Sequence, residues 1–297
     1  SKIVRSYENL CKCEADIEND TVYNNSSIAT DVCKHFCRSF YKSTTKNGRT
    51  MEEVFNEDGL LKRLIRNRLG MDWYHDDAKG PGVNEAFNLA PKMFIQGMRS
   101  MMLVPQTSIF KPDIAKYMCM KYSEPGDLVG DYSCGFGGRM LGAACCGRKY
   151  IGTDPLTVPE LRNMAEYLKL QDITLIESGS ENYRGEENSV DFYWSSPPYF
   201  DQEVYSNDIS QAYNQGEDYF YNVYWKKTLD NVRYMLKPGK WFGLNVHNYP
   251  KMLSMAEEIF GNYVETVKLH THKSHLNKVK TENKSKVEMI YMFKNNK

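Results

Sequence analysis

The stretch VDFYWSSPPYF, residues 190–200, ends an apolar strand-like run, Val190–Trp194, at two serines, two prolines and two aromatic residues. Pro198 fixes its own φ and holds Pro197 extended. Neither proline has an N–H, so the corner offers carbonyl oxygens with little competing donation. Ser196 adds a hydroxyl and Tyr199 a flat ring. Such a corner suits a planar group that carries an amine. The Pro197 carbonyl and the Ser196 hydroxyl accept hydrogen bonds from the NH2, which draws the nitrogen lone pair out of conjugation with the ring. Tyr199 stacks on the ring face, a contact worth roughly 1–3 kcal/mol when the ring is a base. The same residues also suit a rigid strand-end turn.

A second candidate is VGDYSCGFGGRMLGA, residues 129–143, where Gly135, Gly137 and Gly138 follow a short apolar strand and precede a helix. Glycines let backbone approach a ligand that a β-carbon would repel, and the helix start offers unpaired N–H groups. The spacing is not that of the dinucleotide fingerprint, and no Gly-Lys-Ser/Thr ending marks a phosphate loop. Asp131 lies at the mouth of this turn, placed to meet an amino or cationic group. Asp154, in YIGTDP, ends the next strand, where an acid accepts ribose hydroxyls. A ligand with an amine, a ribose and no phosphate fits S-adenosylmethionine. The plainer alternative makes Asp131 and Asp154 caps or turn formers.

Together these elements resemble those of S-adenosylmethionine-dependent amino-methyltransferases that modify DNA at adenine N6 or cytosine N4. The family's Asp/Asn/Ser-Pro-Pro-Tyr/Phe tetrapeptide is matched by Ser196, Pro197, Pro198 and Tyr199. Its Asp-Pro-Phe-x-Gly-x-Gly turn is matched at Asp131, Gly135 and Gly137, with Tyr132 and Ser133 in place of Pro-Phe. Its Phe-x-Pro or Phe-x-Gly element resembles IFKPDIA, at Phe110 and Pro112. The resemblance covers about residues 106–295. It implies that Phe110, Pro112, Asp131, Gly135, Gly137 and Asp154 hold the cofactor. An acid after the third strand commonly meets the cofactor's adenine amine. In IESGSEN that place falls to Glu177, Ser180 or Glu181, and Ser180 is expected to contact the cofactor. The implied reaction is in-line transfer to an exocyclic nitrogen, with no metal and no covalent intermediate, on a base flipped out of its stack. Alternatives on the same motifs are an RNA-base enzyme, a protein-glutamine enzyme, and a non-catalytic nucleic-acid-binding protein. Ser196 argues against the glutamine enzymes, which present Asn-Pro-Pro-Tyr.

The elements that must position these residues begin near residue 106. Helices are expected over DIAKYMCMKYS, RMLGAACCGR, VPELRNMAEYLKL, about 217–236, and PKMLSMAEEIFGN. Strands are expected at GDLVGDYSC, KYIGTD, DITLIES, VDFYWSS, WFGLNVH, YVETVKL and VEMIYMF. This alternation predicts an α/β, Rossmann-like methyltransferase sheet, mostly parallel, its last two strands an antiparallel edge pair. Residues 1–105 are polar, with helices expected at 28–43 and 51–69. They read as an N-terminal accessory region, a candidate for recognising the target, ahead of a methyltransferase domain at 106–297.

Hydrophobic residues make up 41% and charged residues 26%, which fits a soluble globular chain with a real core. No apolar run is long enough for a membrane span, and the first residues show no secretory signal, so a cytoplasmic or nucleoid-associated protein is expected. The zero formal net charge disfavours a broad nucleic-acid clamp. A local basic segment exists at 268–286, with six lysines and three histidines against one glutamate. Lys273, Lys278 and Lys280 are its candidates for contacts to DNA phosphates. Tyr205, Tyr213 and Trp225 are aromatic candidates near a flipped base, with packing as their plainer role. Of eight cysteines, Cys11, Cys13, Cys33 and Cys37 with His35 could hold zinc, but the C-x-C spacing favours free thiols. No metal is expected.

Overall fold

A computed structural model describes residues 1–14, 17–18, 21–23, 27–45, 48–68, 91–104, 108–198, 200, 203–204, 210–246, 249–270 and 287–297. The chain forms two compact units. One comprises Ser1–Cys37, Ile109–Phe200 and Asp208–Lys297, the other Arg38–Ser108 and Asp201–Asn207.

In chain order the helices are α1 (Lys2–Lys12), α2 (Thr30–Phe36), α3 (Met51–Asn56), α4 (Asp58–Arg68), α5 (Pro91–Ser100), α6 (Pro112–Tyr122), α7 (Gly138–Ala144), α8 (Val158–Leu168), α9 (Lys226–Met235) and α10 (Pro250–Phe260). The strands are β1 (Ile17–Glu18), β2 (Thr21–Tyr23), β3 (Thr44–Thr45), β4 (Leu128–Asp131), β5 (Lys149–Thr153), β6 (Ile173–Ile176), β7 (Val190–Ser195), β8 (Glu203–Val204), β9 (Leu236–Asn245), β10 (Glu265–His270) and β11 (Val287–Lys294).

The first unit is an α/β, Rossmann-like sheet. Among the described residues its strands run β1-β2-β10-β11-β9-β7-β4-β5-β6. The pairs β5–β6, β4–β5, β4–β7 and β7–β9 are parallel. Strand β7 lies inside the sheet, between β9 and β4, and all six of its residues are buried. A strand covered on both faces reads as a near-continuous apolar run, and VDFYW does. Phe192 and Trp194 are fully buried and stack at 6.0 Å between ring centroids.

The antiparallel pair forms between β10 and β11, but it does not end the sheet. Strand β2 adds in parallel to β10, and β1 lies beyond it. The domain division therefore differs from the expected break at 105: residues 1–37 belong to the sheet unit. Lys116 of α6 supplies one reason. Its buried ammonium donates to the carbonyls of Leu10, Cys11 and Cys13 at 3.1, 2.8 and 2.7 Å. These are the carbonyls a helix end leaves unpaired, where a cation also complements the dipole.

The second unit packs α3, α4 and α5, with a short β3–β8 pair. Helix α3 starts with a capping box, Thr50 Oγ1 accepting from the Glu53 N–H and Glu53 Oε2 from the Thr50 N–H.

Free cysteines account for all eight thiols. Among the described residues no three His, Cys, Asp or Glu side chains gather to hold a metal ion. Cys33 and Cys37 are buried, Cys11 is exposed, and burial pushes the Cys33 thiol up to about 12. No helix among the described residues is long and apolar enough to cross a membrane.

Candidate functional site

The glycine turn leaves the carboxyl end of β4, and the proline corner leaves that of the adjacent parallel strand β7. Open α/β sheets bind ligands at this edge. Gly137 ends the turn with φ of +80°, in the left-handed region, and a β-carbon there would come within 2.7 Å of Leu161 Cδ2 on α8. At Gly138 a β-carbon would collide with the Phe110 carbonyl oxygen. This close approach brings the Phe110–Pro112 element onto the glycine turn. Pro112 opens α6 at a first-turn position, where its missing N–H costs nothing.

Asp131 does not face open space. Its carboxylate is fully buried and accepts four hydrogen bonds. Oδ1 takes the Ser133 N–H at 3.0 Å and the Ser195 hydroxyl at 2.6 Å. Oδ2 takes Arg139 Nε at 2.8 Å and the Tyr150 hydroxyl at 2.7 Å. The expectation that Asp131 meets a ligand's amino group is corrected accordingly: its cationic partner is Arg139. Burial lowers the Arg139 pKa most strongly, but the charge and hydrogen bond of Asp131, with Tyr150 and Cys134 beside it, together hold it above the ordinary value.

Arg139 joins the two candidate elements. Its Nη2 donates to the Ser133 carbonyl and its Nη1 to Ser196 Oγ at 2.9 Å. The guanidinium lies over the rings of Phe110 and Trp194, 5.3 and 5.9 Å from their centroids. Those rings meet edge to face at 5.2 Å. Phe110, the glycine turn and Ser196 thus share one buried cation. Tyr132 adds a second tie, its hydroxyl donating to the Ser195 carbonyl at 3.1 Å. A proline at 132 would lack this bond.

Pro197 is buried, and Ser196 and Pro198 are half-buried. Tyr199 lies outside the described residues, as do Tyr205, Lys273, Lys278 and Lys280. Phe200 packs on Phe220 and Tyr221 at 5.3 and 6.4 Å. Both belong to a π-helical stretch, Tyr219–Trp225, that leads into α9. Trp225 is fully buried, its indole N–H donating to the Met252 carbonyl at 3.1 Å, and Tyr213 is buried too. For these two rings packing prevails.

Asp154 follows β5 as expected, but its carboxylate also builds the turn. Oδ1 accepts from the N–H groups of Leu156 and Thr157, both at 2.9 Å, and Oδ2 from Gly135 at 3.1 Å. Burial raises its pKa, against the lowering effect of these bonds.

After β6 the three acidic-site candidates separate. Glu177 is exposed and pairs with Arg162 at 3.3 Å. The Ser180 hydroxyl shares a hydrogen bond with the Thr228 hydroxyl at 2.7 Å. Glu181 is buried, and its Oε1 accepts from Tyr219 and Asn182 at 3.2 and 3.1 Å. Its Oε2 has no partner among the described residues. Thr153 Oγ1, Trp194 Nε1 and Asn245 Oδ1 are likewise buried and unpartnered there. All four lie at or just beyond the carboxyl ends of the parallel strands. A buried polar atom left unpaired costs about 1–3 kcal/mol, so the free Glu181 Oε2 suits a polar ligand's donor.

Arg139 and Glu181 are the residues that motif reasoning under-weighted. The signal for Arg139 was present: a cation in the first turn of a helix opposes the dipole and calls for an acid partner.

No protein-family profile matches the chain, and no curated protein matches it. Solved structures of similar fold include TrmN from Thermus thermophilus, at 16% identity and a TM-score of 0.44 over 62% of this chain and 48% of that one. The tRNA (m1A58) methyltransferase TrmI from Aquifex aeolicus aligns at 11% identity and 0.43, over 64% and 71%. The T. thermophilus 16S rRNA N2 G1207 methyltransferase RsmC, in complex with AdoMet and guanosine, aligns at 18% and 0.41, over 64% and 44%. The chain spans about half the length of the first of these. At such identities the likeness is one of fold, and no residue role is carried across.

Proposed function

We propose that the chain is an S-adenosylmethionine-dependent methyltransferase acting on the exocyclic amine of a nucleic-acid base. The reading is carried by one observation: the glycine turn after β4 and the Ser-Pro-Pro corner after β7 are joined through buried Arg139. When bound, S-adenosylmethionine supplies an electrophilic methyl group. Asp154 receives the ribose hydroxyls with the lone pairs its turn leaves over, and Glu181 Oε2 receives the adenine amine. Phe110 and Pro112 close the methionine end. The residue set fits the cofactor because its free acceptors are an acid beyond β5 and an acid beyond β6.

On the acceptor side the Pro197 carbonyl takes an N–H of the amine, and Tyr199 stacks on the ring. Catalysis rests on positioning and exclusion of water, since the nitrogen has its own lone pair. DNA is the polymer implied by the Ser-Pro-Pro-Tyr resemblance. RNA is the polymer in the names of several structures of similar fold, and the same corner chemistry serves both. The second unit and the basic segment at 268–286 are assigned to holding that polymer. The test is incubation of the chain with labelled S-adenosylmethionine and, separately, duplex DNA, single-stranded DNA and RNA. Label in the digested nucleosides of any arm supports the reading and names the polymer. Label in none, with cofactor bound, refutes it.

A further inference from the structure

A serine hydroxyl has two lone pairs and one proton. At Ser196 one lone pair is taken by Arg139 Nη1, at 2.9 Å. Arginine stays protonated at any working pH, and Asp131 and the Ser133 carbonyl fix this one in place. An oxygen that receives a hydrogen bond from a fixed cation becomes the better donor of its own proton. Among the described residues, the bond from Arg139 is the one Ser196 Oγ makes. Its proton therefore remains for the acceptor.

We propose that Arg139 is a positioning residue that turns the Ser196 hydroxyl into a hydrogen-bond donor toward the acceptor base. This rests on the amine-methylation reading above and changes the role expected for Ser196, from second acceptor of the amine to donor beside it. The amine keeps the Pro197 carbonyl as its acceptor. The Ser196 proton goes to an unprotonated atom next to the amine-bearing carbon, which in cytosine or adenine is the adjacent ring nitrogen. The corner then selects a donor–acceptor pair, an amine next to a bare ring nitrogen. Arg139 does not touch the base. It acts by holding the hydroxyl through a planar fork that a lysine cannot reproduce.

The test uses an oligonucleotide that the parent chain methylates and its deaza counterpart, in which the ring nitrogen beside the amine is replaced by C–H. Single-turnover transfer by the parent should be about tenfold slower or more on the deaza base, a factor of ten being about 1.4 kcal/mol of barrier. Cofactor-free parent should also bind the deaza oligonucleotide more weakly, read by fluorescence anisotropy. Ser196→Ala should slow transfer to the natural base, retain cofactor affinity, and bring the two bases toward equal rates. Ser196→Thr, which keeps the hydroxyl, should restore the preference. Arg139→Lys should lower kcat more than it raises KM and shrink the preference in the same way. If that variant does not fold, the serine pair decides. Equal rates on both bases by the parent, or a preference that survives in Ser196→Ala, would overturn the inference while leaving methylation standing. A parent that methylates no nucleic acid would overturn the reading beneath it, and the inference with it.

Discussion

Asp154→Ala separates a structural role from a ligand role in one residue. The carboxylate accepts three backbone N–H bonds, from Gly135, Leu156 and Thr157. At about 1 kcal/mol net for each bond, their loss costs about 3 kcal/mol. Burial raises the Asp154 pKa, so folding already disfavours its charge, and removing that charge returns part of the loss. A net fall of about 2 kcal/mol is expected, which for a chain of this size lowers Tm by about 4–8 °C. The pH dependence has a definite sign. A carboxyl whose folded pKa exceeds its unfolded one contributes most below the unfolded value, and that contribution is lost as pH rises through the folded value. The gap between parent and variant should therefore widen as pH falls from neutral to about 4. Thermal unfolding at several pH values, with calorimetric titration of S-adenosylmethionine at neutral pH, measures both roles. The variant should lose stability and cofactor affinity together. An unchanged Tm would refute the turn-building role, and an unchanged cofactor Kd would refute the ribose assignment.

Gly138→Ala places a β-carbon against the Phe110 carbonyl and should destabilise by about 1–3 kcal/mol, read by denaturant titration; wild-type stability would deny the close packing. Tyr199→Ala should cut single-turnover methyl transfer strongly at saturating cofactor, whereas Tyr199→Phe should cost little because the ring does the stacking; equal rates for Ala and parent would remove the stacking role. Replacing Lys273, Lys278 and Lys280 together by Ala should reduce the salt slope of DNA binding by about 2–3, at about 0.9 per phosphate contact, with cofactor affinity unchanged. Identical slopes would remove the phosphate-contact role.

The central sheet was legible because its strands carry their own signals. Val190–Trp194 is a buried run, Leu128–Asp131 meets glycines, and Lys149–Thr153 alternates before an acid. The N-terminal contribution to that sheet was not legible. Strand β2 is three residues long, too short for a periodic pattern, and its partner β10 is over two hundred residues away. The order of motifs along the chain located the site, but the side-chain partners within it were beyond pattern reading. Asp131 looks the same in sequence whether it faces a ligand or an arginine eight residues on. Ser180 and Glu181 are neighbours, and the sequence does not show that one shares a bond with Thr228 on α9 while the other keeps an unpartnered oxygen among the described residues. The expected helix at 217–236 was found, but its first part is π-helical, a departure packed with rings that set their own spacing.

The most direct measurement of the central claim is the position of the transferred methyl. Nucleic acid treated with the chain and deuteriomethyl-labelled S-adenosylmethionine is digested to nucleosides and fragmented by tandem mass spectrometry. The account predicts label on the exocyclic nitrogen of one base type, absent when Ser196 and Tyr199 are both replaced by alanine in a folded chain. Label on a ring carbon or ring nitrogen, or none in any nucleoside, would contradict it.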